Sequence, residues 1–500
     1  MADNGVTVPD RKTARQRPIT GGACPIALST DFALPPTFGG DLRAKGITTT
    51  ENWATLAIGL ISSSYNLSDP YHVPQDAHGQ MMIFFTRKQK LFLVGFAVFY
   101  LFLLIVYKFH SARDPGSFFF DPEEGYRPEY SLKRLDESLE YLQPYNQSFS
   151  DPAHPARNFT TSADDATICV GIVTVKRPLE QKISTTVASI LDNLSEKERD
   201  TITVHVLFAL TSPTEHPDYN QPWLPNVVDR VLTYDQFDVK FSTLRRLEEK
   251  KDVKHKSLID YHLSLKSCYE DTQAPWIMML EDDVVAQRNW YNHTMQSVKT
   301  IQSWRERGLI KNWLYVRLFY TEKFLGWNSE NWLLYTACSV GIIATVAVIC
   351  IQARRSIRPL QGILNNSFIG VVCFGCVPLL IILYFLAGRV TMLPMKPGIH
   401  LMNYHGCCSQ ALMFPRENVP ALIDYLGQAR YARPLAVDSA IERMADANGL
   451  DRLAIVPSQM QHVGAASYKE NRKQYQLKGP HPVQGAHGVW SMEFEKAYEL

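Results

Sequence analysis

The stretch WIMMLEDDVV, Trp276 to Val285, runs five apolar residues into Glu281-Asp282-Asp283 and then two valines. Three adjacent carboxylates repel one another, and setting them beside a core costs desolvation. Such a cluster either points into water at a turn that opens a helix, where acids suit the N-terminal dipole, or it faces something positive. Carboxylate oxygens are hard ligands, so the chemistry open to this triplet is to hold a divalent cation whose shell phosphate oxygens complete. A basic pair, Lys176-Arg177, closes the apolar run TICVGIVTV (167–175). It could neutralise phosphates or simply stand on a solvated loop. Asp438 precedes a helical pattern in the second half of the chain and is either a helix cap or a general base. His462 follows the apolar stretch RLAIVPS, and a structural histidine is the plain reading there.

The elements that must hold these groups alternate. Strands are predicted over 167–175, 202–210 and 226–234 and in the run up to Glu281, with helices over 181–194, 256–271 and 288–304 between and after them. Beyond lie a strand-like stretch from Ser409 to Phe414 and a helix from Glu417 to Gln428. That order predicts an α/β fold with a mostly parallel sheet, in which ligands sit at the C-terminal ends of strands. The triplet and the Lys176-Arg177 pair both fall at such ends.

The 500 residues suffice for two or three domains or one large one. Lys and Arg total 51 against 50 acids, so no global charge points to nucleic acid. Apolar residues concentrate in three uncharged runs, Leu91–Tyr107, Trp332–Ile351 and Phe368–Ala387, each long enough for a membrane span. Arg354, Arg355 and Arg358 lie in the short, acid-free loop between the second and third runs, which predicts that this loop is cytosolic. The charges around the first run agree, so the large polar segments on either side of the last two spans share the non-cytosolic side. The predicted organisation is a disordered cytosolic tail (1–86), a first span (87–110), a stem (111–165), a first half-domain (166–330), a transmembrane hairpin (331–390) and a second half-domain (391–500). Cys169, Cys268, Cys407 and Cys408 then lie on the oxidising side, with Cys169 or Cys268 the expected partner of the Cys407-Cys408 pair. Sequons at Asn146, Asn158, Asn193 and Asn292 are on the same side.

VGIVTVKRP, LEDDV, a membrane hairpin inside the domain, CCSQALMFPRE and QHVGAASYKE together resemble the Golgi N-acetylgalactosamine transferases that modify glycosylphosphatidylinositol (GPI) anchors, over roughly 110–495. The resemblance implies a GT-A-like glycosyltransferase fold and a hexosyltransferase of the Golgi membrane with its catalytic domain in the lumen. It would use UDP-N-acetylgalactosamine and Mn²⁺ (or Mg²⁺), with GPI-anchored proteins as acceptors. It implies metal ligation by Glu281, Asp283 and His462, donor binding by Lys176, Arg177 and Asp282, and inversion with Asp438 as the base. Glu417 and Asp424 are next in line for that role. Two other readings are a Golgi transferase for another acceptor, such as an N-glycan, and a non-catalytic membrane assembly factor with a degenerate transferase fold. The intact triplet disfavours the second.

Overall fold

Strand β1, Ile168–Thr174, is apolar along nearly its whole length and buried, as a central parallel strand must be when both faces are covered. In a computed structural model, which describes residues 85–146, 165–177, 180–310, 312–402, 408–429, 435–464 and 489–496, β1 lies between two parallel neighbours, β2 (Ile202–Phe208) and β4 (Trp276–Glu281). A three-residue β3, Arg230–Leu232, extends β2. The predicted strand over 226–234 is shorter than expected because Leu224–Val227 forms a helical turn with a proline at its start.

The sheet has eight strands in the order β3-β2-β1-β4-β8-β6-β9-β7, where β6 is Trp313–Arg317, β7 Gly398–Leu401, β8 Ala411–Pro415 and β9 Asp451–Val456. Strand β8 runs antiparallel to both β4 and β6, and β9 is parallel to β6. The result is a mostly parallel α/β sheet. A separate two-stranded ribbon pairs β5 (Val284–Ala286) with β10 (Met460–His462).

Among the helices, α1 is Arg87–His110, α2 Tyr130–Leu142, α3 Ile183–Leu191, α4 Phe241–Glu249, α5 Val253–Asp271 and α6 Trp290–Glu306. Farther along lie α7 (Trp332–Ser356), α8 (Asn366–Leu386), α9 (Val419–Ala429), α10 (Val437–Asn448) and α11 (Met492–Lys496). Helices α1, α7 and α8, of 24, 25 and 21 residues, are long and apolar enough to cross a membrane. The chain is a membrane protein.

Two compact units are present. One takes in residues up to Leu101 with Ser329–Leu383; the other takes in Phe102–Asn328 with Tyr384–Leu500 and contains the sheet. In the first, the Gln89 amide donates to Ile363 O at 2.6 Å, and Phe92 meets Phe368 edge-on. In the second, α2 is packed in place although it falls in the segment expected to be a stem. Its fully buried Arg134 donates to Ala286 O at 2.9 Å and pairs with Asp192 and Glu137.

Cys169 on β1 and Cys268 on α5 form a disulfide across the helix–sheet contact, with Cα atoms 5.6 Å apart. Cys408 is also disulfide-bonded. The expected pairing of Cys407 or Cys408 with Cys169 or Cys268 is therefore wrong: strand and helix put the latter two face to face and leave neither available. Cys407 and the tail before residue 85 lie outside the described residues.

Candidate functional site

Strand β4 ends at Glu281, and Asp282 and Asp283 form the turn into β5. Both aspartates are buried, at 3% and 2% exposure, so the solvated-turn reading does not hold. Something positive sits there, and it is Arg177. Its guanidinium binds Asp282 through Nε at 3.2 Å and more closely through Nη2, while Nη1 lies 2.9 Å from Asp283 Oδ2. Parallel pairing of β1 with β4 brings Arg177 here, because Val173 stands opposite Glu281 and the chain leaves both strands at the same end of the sheet.

Asp282 is held further by Thr174 Oγ1, which donates to its Oδ2 at 2.7 Å, and by Val175 N at 3.3 Å. Thr174 also meets His216 Nε2 at 3.1 Å. Burial pushes the Asp282 carboxyl above the usual range; Arg177 opposes this and Asp283 adds to it. Lys176, the other half of the basic pair, is half-exposed and only 4.0 Å from Glu215. The structure brings Arg177 into the site and leaves Lys176 at its outer edge.

The β5–β10 ribbon delivers His462. Register pairs His462 with Val284, and Val463 N donates to Asp283 O at 2.8 Å. His462 Nε2 then lies 3.2 Å from Asp283 Oδ2. Burial lowers this imidazole's pKa, but the charge and hydrogen bond of Asp283, together with the Glu281 charge, outweigh it and the net shift is upward. Gly464 completes the cradle. A Cβ there would lie 2.2 Å from Asp283 Oδ2 and 3.1 Å from His462 Nε2, so only glycine leaves that space open.

An oxygen and an imidazole nitrogen converging on one space form a donor set that suits a divalent cation. Asp283 and His462 fit that role. Glu281 is not gathered with them. Among the described residues the one trio of potential ligands lying mutually within 4.8 Å is Cys169, His205 and Cys268, and its two cysteines are joined to each other. Glu281 instead accepts from Ser409 Oγ at 2.7 Å and from the Gln410 amide at 3.4 Å.

Asp438 is in the first turn of α10, where its carboxylate accepts from Ser439 N at 2.7 Å. Glu442, one turn on and on the same helix face, pairs with Arg317 at the C-terminal end of β6. Arg317 Nη1 donates to Cys408 O at 3.0 Å, just before Ser409. Asp438 thus sits one turn beyond the network that supports the Glu281 side. Glu417 is elsewhere: it follows β8, whose Pro415 pairs with Trp276 at the opposite end of β4 from the triplet. Asp424 is exposed on α9.

Sequence reasoning missed Thr174, Ser409, Gln410 and Gly464. The first is the last residue of a strand already singled out and could have been found by extending the strand-end rule one position inward. The others depend on pairings between distant segments and carry no local signal.

Sheet order, buried acids at strand ends and three membrane-length helices define a membrane-bound α/β protein with a cluster of paired charges at the carboxyl edge of its parallel strands. Comparison with known families carries the assignment further. Residues 168–461, more than half of the chain, match the GPI-N-acetylgalactosamine transferase PGAP4 family, and the chain belongs to that family of glycosyltransferases acting on GPI anchors. The match takes in every candidate site residue except His462 and Gly464, which lie just beyond its end.

Proposed function

We propose that the protein transfers N-acetylgalactosamine from UDP-N-acetylgalactosamine to the mannose next to glucosamine in the GPI core of anchored proteins, with inversion. The unit bearing the sheet is then a GT-A-like catalytic domain in the Golgi lumen. Helices α7 and α8 form a transmembrane hairpin inserted between its two halves. The observation that carries the reading is the pairing of Arg177 with Asp282 and Asp283 beside His462: a strand end that balances two buried carboxylates with one fixed cation can exchange partners with an anionic diphosphate.

In this reading Asp283 and His462 would hold Mn²⁺ or Mg²⁺, and the ion would supply positive charge against a diphosphate leaving group. Arg177 moves from the carboxylates to a phosphate oxygen, and Thr174 keeps Asp282 in place through that exchange. Lys176, at the outer edge, contributes charge to the donor's approach. Asp438 takes the proton from the acceptor hydroxyl. A GPI acceptor is confined to the leaflet that the enzyme's own spans cross, so both partners meet in two dimensions and the entropic cost of encounter falls.

Purified full-length protein in detergent, given a panel of UDP-sugars and a GPI-anchored acceptor, should transfer N-acetylgalactosamine in preference to galactose, glucose or N-acetylglucosamine, and only with a divalent cation. Equal use of all donors, or full activity in chelator, refutes the donor or the metal assignment respectively. A tag inserted at Asn365 tests the topology. Antibody should reach it after selective plasma-membrane permeabilisation; access only after full permeabilisation would break the hairpin arrangement.

A further inference from the structure

The acidic triplet is divided. Asp282 and Asp283 turn to Arg177 and His462, while Glu281 turns to Ser409 and Gln410. Backbone pairing maintains the division, because Glu281 N donates to Gln410 O at 3.0 Å. On the far side of this segment Arg317 ties Cys408 O to Glu442. Residues 408–410 are thus fixed between the ends of β4 and β6.

Among the buried polar atoms with no hydrogen-bond partner among the described residues are Gln410 Oε1, in this segment, and the hydroxyl of Tyr261, on α5. Gln410 is 6% exposed and Tyr261 is 8% exposed. The Tyr261 ring packs in one cluster with Met279, Tyr315 and Leu412, next to the end of β4. Burial first, and then the neighbouring Glu281 carboxylate, keep its hydroxyl protonated. Each orphaned group leaves its desolvation uncompensated in the fold. Packing does not require that cost at position 261, since phenylalanine would fill the same space. The nearby cation is already engaged, Arg317 by Glu442 and Cys408 O. What the two orphaned groups lack is a small neutral group that both donates and accepts, and a hydroxyl is such a group.

We propose that Glu281, Gln410 and Tyr261 form a polyol-reading site that binds a sugar hydroxyl, and that Glu281 is not a metal ligand. This rests on the glycosyl-transfer reading above and sharpens it: the triplet serves the diphosphate with its last two acids and a sugar with its first. A site built to pair with a hydroxyl discriminates strongly against analogues lacking it, because its polar groups are then left buried and unpaired.

The test uses the full-length enzyme in detergent. Tyr261→Phe removes one oxygen and keeps the ring. It should leave the apparent Tm unchanged or raise it, while kcat/KM for transfer falls by about 10- to 100-fold, the worth of one or two buried hydrogen bonds. Gln410→Asn, which withdraws the amide by one methylene, should act in the same direction. A rise confined to the KM of the UDP-sugar places the hydroxyl on the transferred sugar, and one confined to the KM of the GPI acceptor places it on the glycan; either supports the site. Glu281→Gln should keep Mn²⁺-dependent UDP binding, which Asp283→Asn should lose. Wild-type kcat/KM in Tyr261→Phe, a Tm that falls together with activity, or loss of Mn²⁺-dependent UDP binding in Glu281→Gln each overturns the proposal while wild-type transfer stands. Absence of wild-type transfer to any GPI acceptor would instead remove the parent reading and this one with it.

Discussion

Replacing Arg177 with methionine removes the only cation bound to both Asp282 and Asp283 among the described residues while keeping most of the side chain's length. Both aspartates are at least 97% buried. Breaking a buried pair by deleting one partner typically costs about 3–5 kcal/mol, because the other charge is left uncompensated. At about 2–4 °C per kcal/mol the apparent Tm should fall by roughly 6–20 °C. The loss depends on pH with a definite sign. The folded Asp282 carboxyl already lies above its ordinary range through burial, and losing Arg177 raises it further. An acid whose folded pKa is raised takes up protons on folding, so the variant is most stable near the unfolded carboxyl value of about 4 and loses stability as pH rises toward neutrality. Scanning the Tm of detergent-solubilised protein at pH 5 and pH 7.5 should therefore show a small deficit at the first and the full deficit at the second. Millimolar Mn²⁺ should recover part of it at pH 7.5 by supplying the missing charge at Asp283. A deficit under about 1 kcal/mol, or one that grows on acidification, would refute the claim that the Arg177 charge offsets the burial of these acids.

Gly464→Ala sets a Cβ against Asp283 and His462; transfer and Mn²⁺-dependent UDP binding should both drop at least tenfold, and unchanged Mn²⁺ affinity by titration would show that the cradle is not a cation site. Asp438, inside the first turn of α10 and not its cap, keeps its size but not its basicity in Asp438→Asn, so transfer should fall about a hundredfold or more with UDP binding intact; normal turnover would place the base elsewhere. Burial holds the His205 imidazole down to about 4, against a smaller upward pull from Asp271. Its contribution of up to about 3 kcal/mol is fully present above about pH 6.5 and is lost as pH falls toward 4, so His205→Gln should flatten the Tm-versus-pH curve over that window, and an unaltered slope would contradict the assignment.

The parts of the fold that were legible in the sequence are those that depend on local pattern. Apolar runs marked β1, β2 and β4, and charge-free length marked α1, α7 and α8, because burial and bilayer thickness act on composition directly. The acids at the end of β4 and the basic pair after β1 were legible for the same reason: the strand-end rule needs only the strands. Which acid does what was not legible. Asp283 meets His462 only because β5 pairs with β10 across some 175 intervening residues, and Glu281 meets Ser409 only because β8 docks beside β4. The segment read as a stem shows the same limit. Its helix was visible as an amphipathic pattern, but the burial of Arg134 depends on carbonyls of Ser189 and Ala286 that no local signal announces.

The position of β8 has a consequence for how the chain is made. It occupies the slot between β4 and β6, yet both neighbours are encoded before α7 and α8 while β8 is encoded after them. At a synthesis rate of about 5–20 residues per second, roughly 5–20 s separate the end of β6 from the start of β8. Throughout that interval β4 and β6 present open edges with unpaired backbone groups, the condition that invites pairing with the wrong chain. If α7 and α8 form the transmembrane hairpin proposed above, the proper partner of both edges arrives only after two successive helices have entered the bilayer. On that topology a nascent chain that integrates one of them and not the other delivers β8 to the opposite side of the membrane, and its sheet cannot close. Connectivity thereby turns an error of membrane integration into a failure to fold, which quality-control machinery can recognise as unpaired strand and exposed core.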